Sequence, residues 1–167
     1  HRLTRAEIDG KDELFATLDA RIRTIDPTTR PKILLSDTVG FIKSLPPSLI
    51  ESFHSTLGEV QNANLLLHVV DLASENYLQQ IAVTQSVIKE VGAAHIPEII
   101  IFNKKDLLDD LLLPKIMLKK YPGSLFISAF DKNDMFCVRE HIFSYFNTRF
   151  IEREVTVLTD SVEALSL

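Results

Sequence analysis

Cysteine occurs once in the 167 residues, at Cys137, so no disulfide can form within the chain and the composition fits a reducing compartment. Cys137 sits among apolar residues of an expected helix, where a small core residue is a better reading than a nucleophile. No apolar run is long enough to span a bilayer, and the N-terminus lacks the apolar core of a signal peptide. Both absences point to the cytoplasm. Basic residues do not dominate: 18 Lys and Arg stand against 23 Asp and Glu, for a formal net charge of -5. A protein that gripped nucleic acid through phosphate contacts alone would show a basic face, so any RNA partner has to be held by local patches or by parts outside this sequence. A phosphate-binding loop is also lacking, because Gly10-Lys11 is followed by Asp12 where a hydroxyl is required, and no strand precedes it. What remains is 46% hydrophobic and 25% charged, the balance of a globular domain with a real core.

The most informative stretch is Ile33-Leu34-Leu35-Ser36-Asp37-Thr38-Val39-Gly40-Phe41. A short apolar run ends in an acid, and Gly40 frees the backbone three residues on, which describes a buried strand delivering a carboxylate to its C-terminal end. Ligands of open α/β sheets sit just beyond such ends. A second strand end of the same kind is Ile99-Ile100-Ile101-Phe102-Asn103-Lys104-Lys105-Asp106. Around these, Arg21 to Ile25 alternates like a half-exposed strand, Asp26 to Pro31 turns, and Lys32 to Asp37 returns, which predicts a hairpin with its exposed edge strand first and its buried strand second. Ser48 to Val60 has helical spacing at Leu49, Phe53 and Leu57, and Leu65 to Val70 reads as a buried strand ending at Asp71. Asn76 to Val91 is an amphipathic helix with Tyr77, Ile81, Val87 and Ile88 inward, closed by Gly92. A strand over Glu98 to Phe102, a helix over Leu107 to Tyr121 interrupted by Pro114, a strand over Leu125 to Ala129 and a helix over Asp131 to Phe150 follow. Such alternation means an α/β fold with a mainly parallel sheet covered by helices on both faces. Beyond Phe150 the pattern restarts, with a strand-like Glu152 to Leu158 and a helix start at Asp160. Residues 1–150 are therefore expected to form one domain and 151–167 the start of an extension, both ends belonging to something longer.

The two strand ends together read as the Mg²⁺/γ-phosphate and guanine-recognition loops of a GTPase. Guanine offers N1–H and the exocyclic amine side by side, and the Asp106 carboxylate can accept from both. Asn103 can bridge neighbouring loops, the Lys104 stem can cover the purine face, and a backbone N–H at Ser128-Ala129 can bind guanine O6. The plainer alternative is a polar loop with Asp106 capping the helix from Leu107. Asp37 would hold Mg²⁺ through water, the Gly40 N–H would face the γ-phosphate, and Thr17 is the candidate switch hydroxyl. Phe41 stands where many GTPases place a water-orienting Gln, so the catalytic group must come from elsewhere or from a partner. His54 and His68 have no second ligand at metal spacing, and Lys119-Lys120 is most simply a solvated helix end.

Five pieces carry a resemblance over Lys11 to Asp106: Leu14-Phe15-Ala16-Thr17-Leu18-Asp19, Leu34 to Ile42, Glu51-Ser52-Phe53-His54-Ser55-Thr56-Leu57, Leu66 to Asp71, and Phe102 to Asp106. The chain resembles the GTPase domain of the HflX family of ribosome-associated factors. That resemblance implies a P-loop GTPase-like fold, with GTP or GDP and Mg²⁺ as cofactors. It implies nucleotide contacts at Thr17, Asp37, Thr38, Val39, Gly40, Asn103, Lys104, Asp106, Ser128 and Ala129, with Thr17 and Asp37 at the metal. It also implies GTP hydrolysis stimulated by ribosomes, binding to the large ribosomal subunit, and a stress-linked role in ribosome rescue or splitting. A usual acid is replaced by Gly58. In the family, the phosphate loop would directly precede His1, on a central strand flanked by Lys32–Asp37 and Leu65–Val70. With that strand outside the sequence, the two flanking strands are expected not to pair with each other, and these residues by themselves are expected to bind GTP weakly or not at all. Glu152 to Leu158, swapped from a second copy into an oligomer, is the one internal candidate for the gap. A non-catalytic GTPase-like interaction module is the alternative function.

Overall fold

The run Glu-Ile-Ile-Ile-Phe-Asn at residues 98–103 is apolar at four consecutive positions, the pattern of a strand covered on both faces. The computed structural model, which describes Leu3 and residues 21–37, 60–108, 110 and 112–149, places that strand between two neighbours. In chain order the elements are β1 (Arg21–Thr24), β2 (Leu34–Asp37), β3 (Leu66–Asp71), α1 (Tyr77–Glu90), β4 (Glu98–Asn103), a 3-10 turn at Lys105–Leu107, α2 (Leu113–Lys120), β5 (Leu125–Phe126) and α3 (Lys132–Asn147). β3, β4 and β5 form a parallel sheet in that order, while β1 and β2 form a separate antiparallel pair.

Side chains alternate across β4 and divide the core in two. Ile99 and Ile101 face Ile127 and the α3 residues Val138 and Ile142, with Ile25 and Ile33 of the hairpin packed into the same cluster. Ile100 and Phe102 face Ile81 of α1, Met117 of α2, Val70 and Leu72. Phe102 is fully buried, with its ring stacked 4.7 Å from Phe126. The expected parallel sheet with helices on both faces is therefore present.

α1 begins after Asn76 and ends where Gly92 takes a φ of 77°. There the Gly92 N–H bonds Lys89 O (3.1 Å) and the Ala93 N–H bonds Ile88 O (2.9 Å), a Schellman closure that requires a left-handed residue and satisfies two terminal carbonyls. Ala93 is fully buried beside Val60, Val91 and Ile96.

The hairpin forms in the expected order, pairing Arg21 with Asp37 and Thr24 with Leu34, but β2 is not the buried strand that its composition suggests. Only Leu35 is half-buried, and Leu34 is 62% exposed. The hairpin is anchored instead through its turn. Asp26 accepts bonds from the Thr28 N–H (2.9 Å) and hydroxyl (2.6 Å) and from the Arg139 guanidinium on α3. Among the described residues β2 has β1 as its one strand neighbour, and β3 has β4. β2 and β3 do not pair with each other, as expected, and Val69 on β3 remains 61% exposed.

Three further readings change. The helix expected from Leu107 starts at Leu113, because Pro114 occupies its first turn, where the absent N–H leaves no bond unmade. The last strand shortens to Leu125–Phe126. Cys137 is exposed, since Val138 and Ile142 define the buried stripe of α3. Most of the helix expected at Ser48–Val60, His54, and the strand-like Glu152–Leu158 lie outside the described residues.

His68 serves the sheet. Its Nδ1 lies 2.6 Å from Glu98 Oε1, diagonally across the β3–β4 pair, and Gln85 of α1 donates to the other carboxylate oxygen at 3.2 Å. The hydrogen bond from His68 lowers the Glu98 pKa below the ordinary 4.5, aided by Gln85 and by the charge of His68 and opposed by burial. A depressed carboxyl pKa adds stability that is fully present above the ordinary value and is lost as pH falls through the lowered one. The stability gap between the wild type and Glu98→Gln should accordingly shrink in denaturant titrations once pH drops below 4.5, and an equal gap in acid and at neutrality would contradict the pairing. In the core, Phe102→Ala should cost about 3–5 kcal/mol by the same titration, whereas a loss below about 1 kcal/mol would show that the β4 face is not packed as described.

Candidate functional site

Parallel pairing carries three strand ends to one edge of the sheet. Asp71 ends β3 directly opposite Asn103, which ends β4. Beyond β5 the ladder continues through Ile127 N–H to Phe102 O (2.8 Å) and Lys105 N–H to Ile127 O (3.0 Å), which brings Ser128 and Ala129 alongside.

Asn103 holds these loops together. Its backbone carbonyl accepts from Leu72 N–H (3.1 Å), and its Oδ1 accepts from Ala129 N–H (2.9 Å). The bridging expected of Asn103 is thus observed. Lys104 then turns the chain in the left-handed region at φ 66°, a conformation that costs a side-chain-bearing residue about 1–2 kcal/mol. Its Nζ lies 2.7 Å from Asp71 Oδ2, and the other Asp71 oxygen accepts from Ala73 N–H at 2.9 Å. The turn places Lys105 over the start of α3. There Asp134 accepts from Lys105 Nζ (2.5 Å) with one oxygen and from Ser128 N–H (2.7 Å) with the other.

Asp106 follows in the 3-10 turn. Its carboxylate is exposed and makes no hydrogen bond or ion pair among the described residues. It does not cap a helix either, because α2 begins only at Leu113. The capping role in the plainer reading of Asp106 therefore falls, and an acceptor with two open oxygens stands at the rim of the braced loops. Such a group can take two adjacent N–H donors from a planar base edge.

The Ser128 N–H bonds Asp134, and its hydroxyl accepts from Phe130 N–H at 3.3 Å, so Ser128 supports the turn. The Ala129 N–H is bonded as well, to Asn103 Oδ1. On the phosphate side, Asp37 ends β2 with an exposed side chain, in a different sheet from Asn103. Thr17, Thr38, Val39 and Gly40, together with Phe41, lie outside the described residues. Among the described residues no group of three or more His, Cys, Asp or Glu side chains is placed to hold a metal ion.

Asp71, Lys105 and Asp134 were not read from the sequence as parts of this site. Asp71 carried a signal, being a strand-end acid one strand away from Asn103. Asp134 carried none beyond its place in the first turn of α3.

The parallel sheet, the helices on its two faces and the Asn-Lys-x-Asp turn define a domain of the P-loop GTPase class. A family model described as 50S ribosome-binding GTPase matches residues 1–104. The chain belongs to this family and, within it, to the HflX GTPases. It is 41% identical over 150 residues to a GTPase HflX of Gluconacetobacter diazotrophicus, covering 90% of this chain and 33% of that protein. It is 42% identical over 110 residues to GTPase HflX of Escherichia coli, covering 66% of this chain and 26% of that one. The chain thus spans about a quarter to a third of these relatives. Among solved structures, a protein called SsGBP in complex with GDP superposes with a TM-score of 0.61 at 26% identity, over 78% of this chain and 42% of that one.

Exposure separates the two loop clamps energetically. Asp71 and Lys104 side chains are 42% and 43% exposed, so their pair should contribute about 1 kcal/mol or less. The Asp134 side chain is 13% exposed, and removing it strands the Ser128 N–H. Asp134→Ala should therefore cost about 1–3 kcal/mol in chemical denaturation and Asp71→Ala clearly less, while the reverse order would contradict the clamp assignment.

Proposed function

We propose that this chain is the guanine-nucleotide-binding domain of a GTP-hydrolysing factor that acts on ribosomes. The observation that carries this reading is the open Asp106 carboxylate on a turn fixed from both sides by Asn103 and Asp134. Guanine presents two adjacent donors to that carboxylate, and adenine does not. Ala129 N–H supplies the donor for O6 once Asn103 releases it, and the Lys104 stem, steered by Asp71, covers one face of the ring. Family membership and the GDP complex of SsGBP support the choice of nucleotide.

Asp37 fits a Mg²⁺ site of the usual kind, in which one or two carboxylates share the ion with waters and phosphates. Thr17 completes that shell, and Thr38, Val39 and Gly40 meet the γ-phosphate. The metal, when bound, neutralises charge on the phosphates; the protein's part is to hold and orient them. β2 and β3 each keep an edge that pairs with no described strand, and a further strand and loop between them would supply the lysine and backbone cradle for the phosphates. Residues 1–150 make up the GTPase domain and 151–167 begin an extension. The factor works in the cytoplasm, on the large subunit, in rescue or splitting of ribosomes under stress.

Base selection tests this reading in the full-length protein. Asp106→Asn exchanges a charged acceptor for an amide, so affinity for GTP should fall about 10- to 100-fold, the equivalent of about 1.5–3 kcal/mol. Xanthosine triphosphate, which has an oxygen where guanine carries the amine, should bind the variant better than the wild type. Unchanged GTP affinity would remove Asp106 from the base site. Binding without turnover, with or without ribosomes, would leave a non-catalytic module in place of an enzyme.

A further inference from the structure

Two protein groups have to meet one guanine edge together, the Asp106 carboxylate at N1–H and the amine, and the Ala129 N–H at O6. They stand on different loops, one after β4 and one after β5, so base recognition depends on what joins those loops. The main chain joins them through Lys105 N–H to Ile127 O at 3.0 Å. Asp134 joins them a second time and belongs to neither. One of its oxygens accepts from Lys105 Nζ (2.5 Å) and the other from the Ser128 N–H (2.7 Å). Lys105 immediately precedes Asp106, and Ser128 immediately precedes Ala129.

The carboxylate that makes this link is itself well held. Asp134 lies in the first turn of α3, whose buried residues Val138 and Ile142 pack against Ile99, Ile101 and Ile127. Its side chain is 13% exposed, and that of Lys105 is 39% exposed. Ser128 is buried, and its turn is closed by Asp131 N–H to Ser128 O at 3.0 Å. A strut from a docked helix fixes both loops before a ligand arrives, which lowers the ordering cost of binding. Resting on the guanine-nucleotide reading, we propose that Asp134 is a positioning residue for base selection. By holding Lys105 and Ser128 at once, it sets the span between Asp106 and the Ala129 N–H. The preference for guanine over a purine without the exocyclic amine follows from that span, because both Asp106 bonds form only when the carboxylate is correctly placed.

The test uses the full-length protein with GDP and inosine diphosphate as probes. Hypoxanthine keeps O6 and N1–H but has no amine, so it draws on one Asp106 bond where guanine draws on two. Lys105→Met removes the ammonium and leaves Asp134 on the Ser128 N–H. Asp134→Asn keeps an oxygen for Ser128 and turns an amide N–H donor toward Lys105. Each variant should weaken GDP binding about 3- to 10-fold and lower the preference for GDP over inosine diphosphate. The double variant should lose no more than the weaker-binding single one, since the pair acts as a unit. A merely structural role would weaken both nucleotides equally. Should Asp134→Asn fail to fold, the preference measured in Lys105→Met decides alone. Unchanged GDP affinity, equal losses for the two nucleotides, or additive losses in the double variant would overturn the positioning role and leave the guanine reading standing. Failure of the wild type to bind GDP at all would overturn both.

Discussion

Burial of β4 on both faces is the constraint on which everything else here depends. A strand with four consecutive buried residues must be paired on both edges and covered above and below, or its backbone groups and apolar side chains are left in unfavourable surroundings. β3 and β5 supply the edges, α3 with the hairpin turn covers one face, and α1 with α2 covers the other. Parallel pairing then has a geometric result: consecutive strands finish at the same edge, and every loop that leaves them begins within reach of the next. Asp71, Asn103 and Ser128 meet for that reason and not because any of them attracts the others strongly.

Short-range polar contacts refine what the sheet has brought together. Asn103 bonds to the loops after β3 and β5 at once, and Asp134 reaches from α3 to hold Lys105 and Ser128. Such bonds add modest net stability, but they leave few positions available to the turn that contains Asp106. The strained left-handed Lys104 is held within this same network. A loop fixed by its neighbours in this way can present an unpaired carboxylate to a ligand with little ordering left to do when the ligand arrives.

The hairpin illustrates a different balance. Its turn is fastened to α3 through Asp26, Arg139 and the packing of Ile25 and Ile33, while the far end of β2 stays exposed. Docking at one end holds the turn against α3, yet leaves β2 and β3 with edges that no described strand pairs. An apolar sequence on a strand therefore shows capacity for burial. Whether burial is realised depends on what lies on both sides.

The sequence by itself determined the order and type of nearly every described element, because apolar periodicity and strand-end punctuation are local properties. The strand at Glu98–Phe102, the helix closed by Gly92, and the Asn103-Lys104-x-Asp106 turn were legible from a few residues each. The tertiary structure decided what depends on neighbours distant in the chain. Pro114 could interrupt a helix or begin one, and the path of the preceding loop settled that it begins α2. Cys137 could face the core or solvent, and the docking angle of α3 turned Val138 and Ile142 inward instead. Ser128 and Ala129 both offered an N–H to a ligand in sequence terms; only the tertiary structure shows what each one meets, Asp134 from α3 for Ser128 and the Asn103 side chain for Ala129.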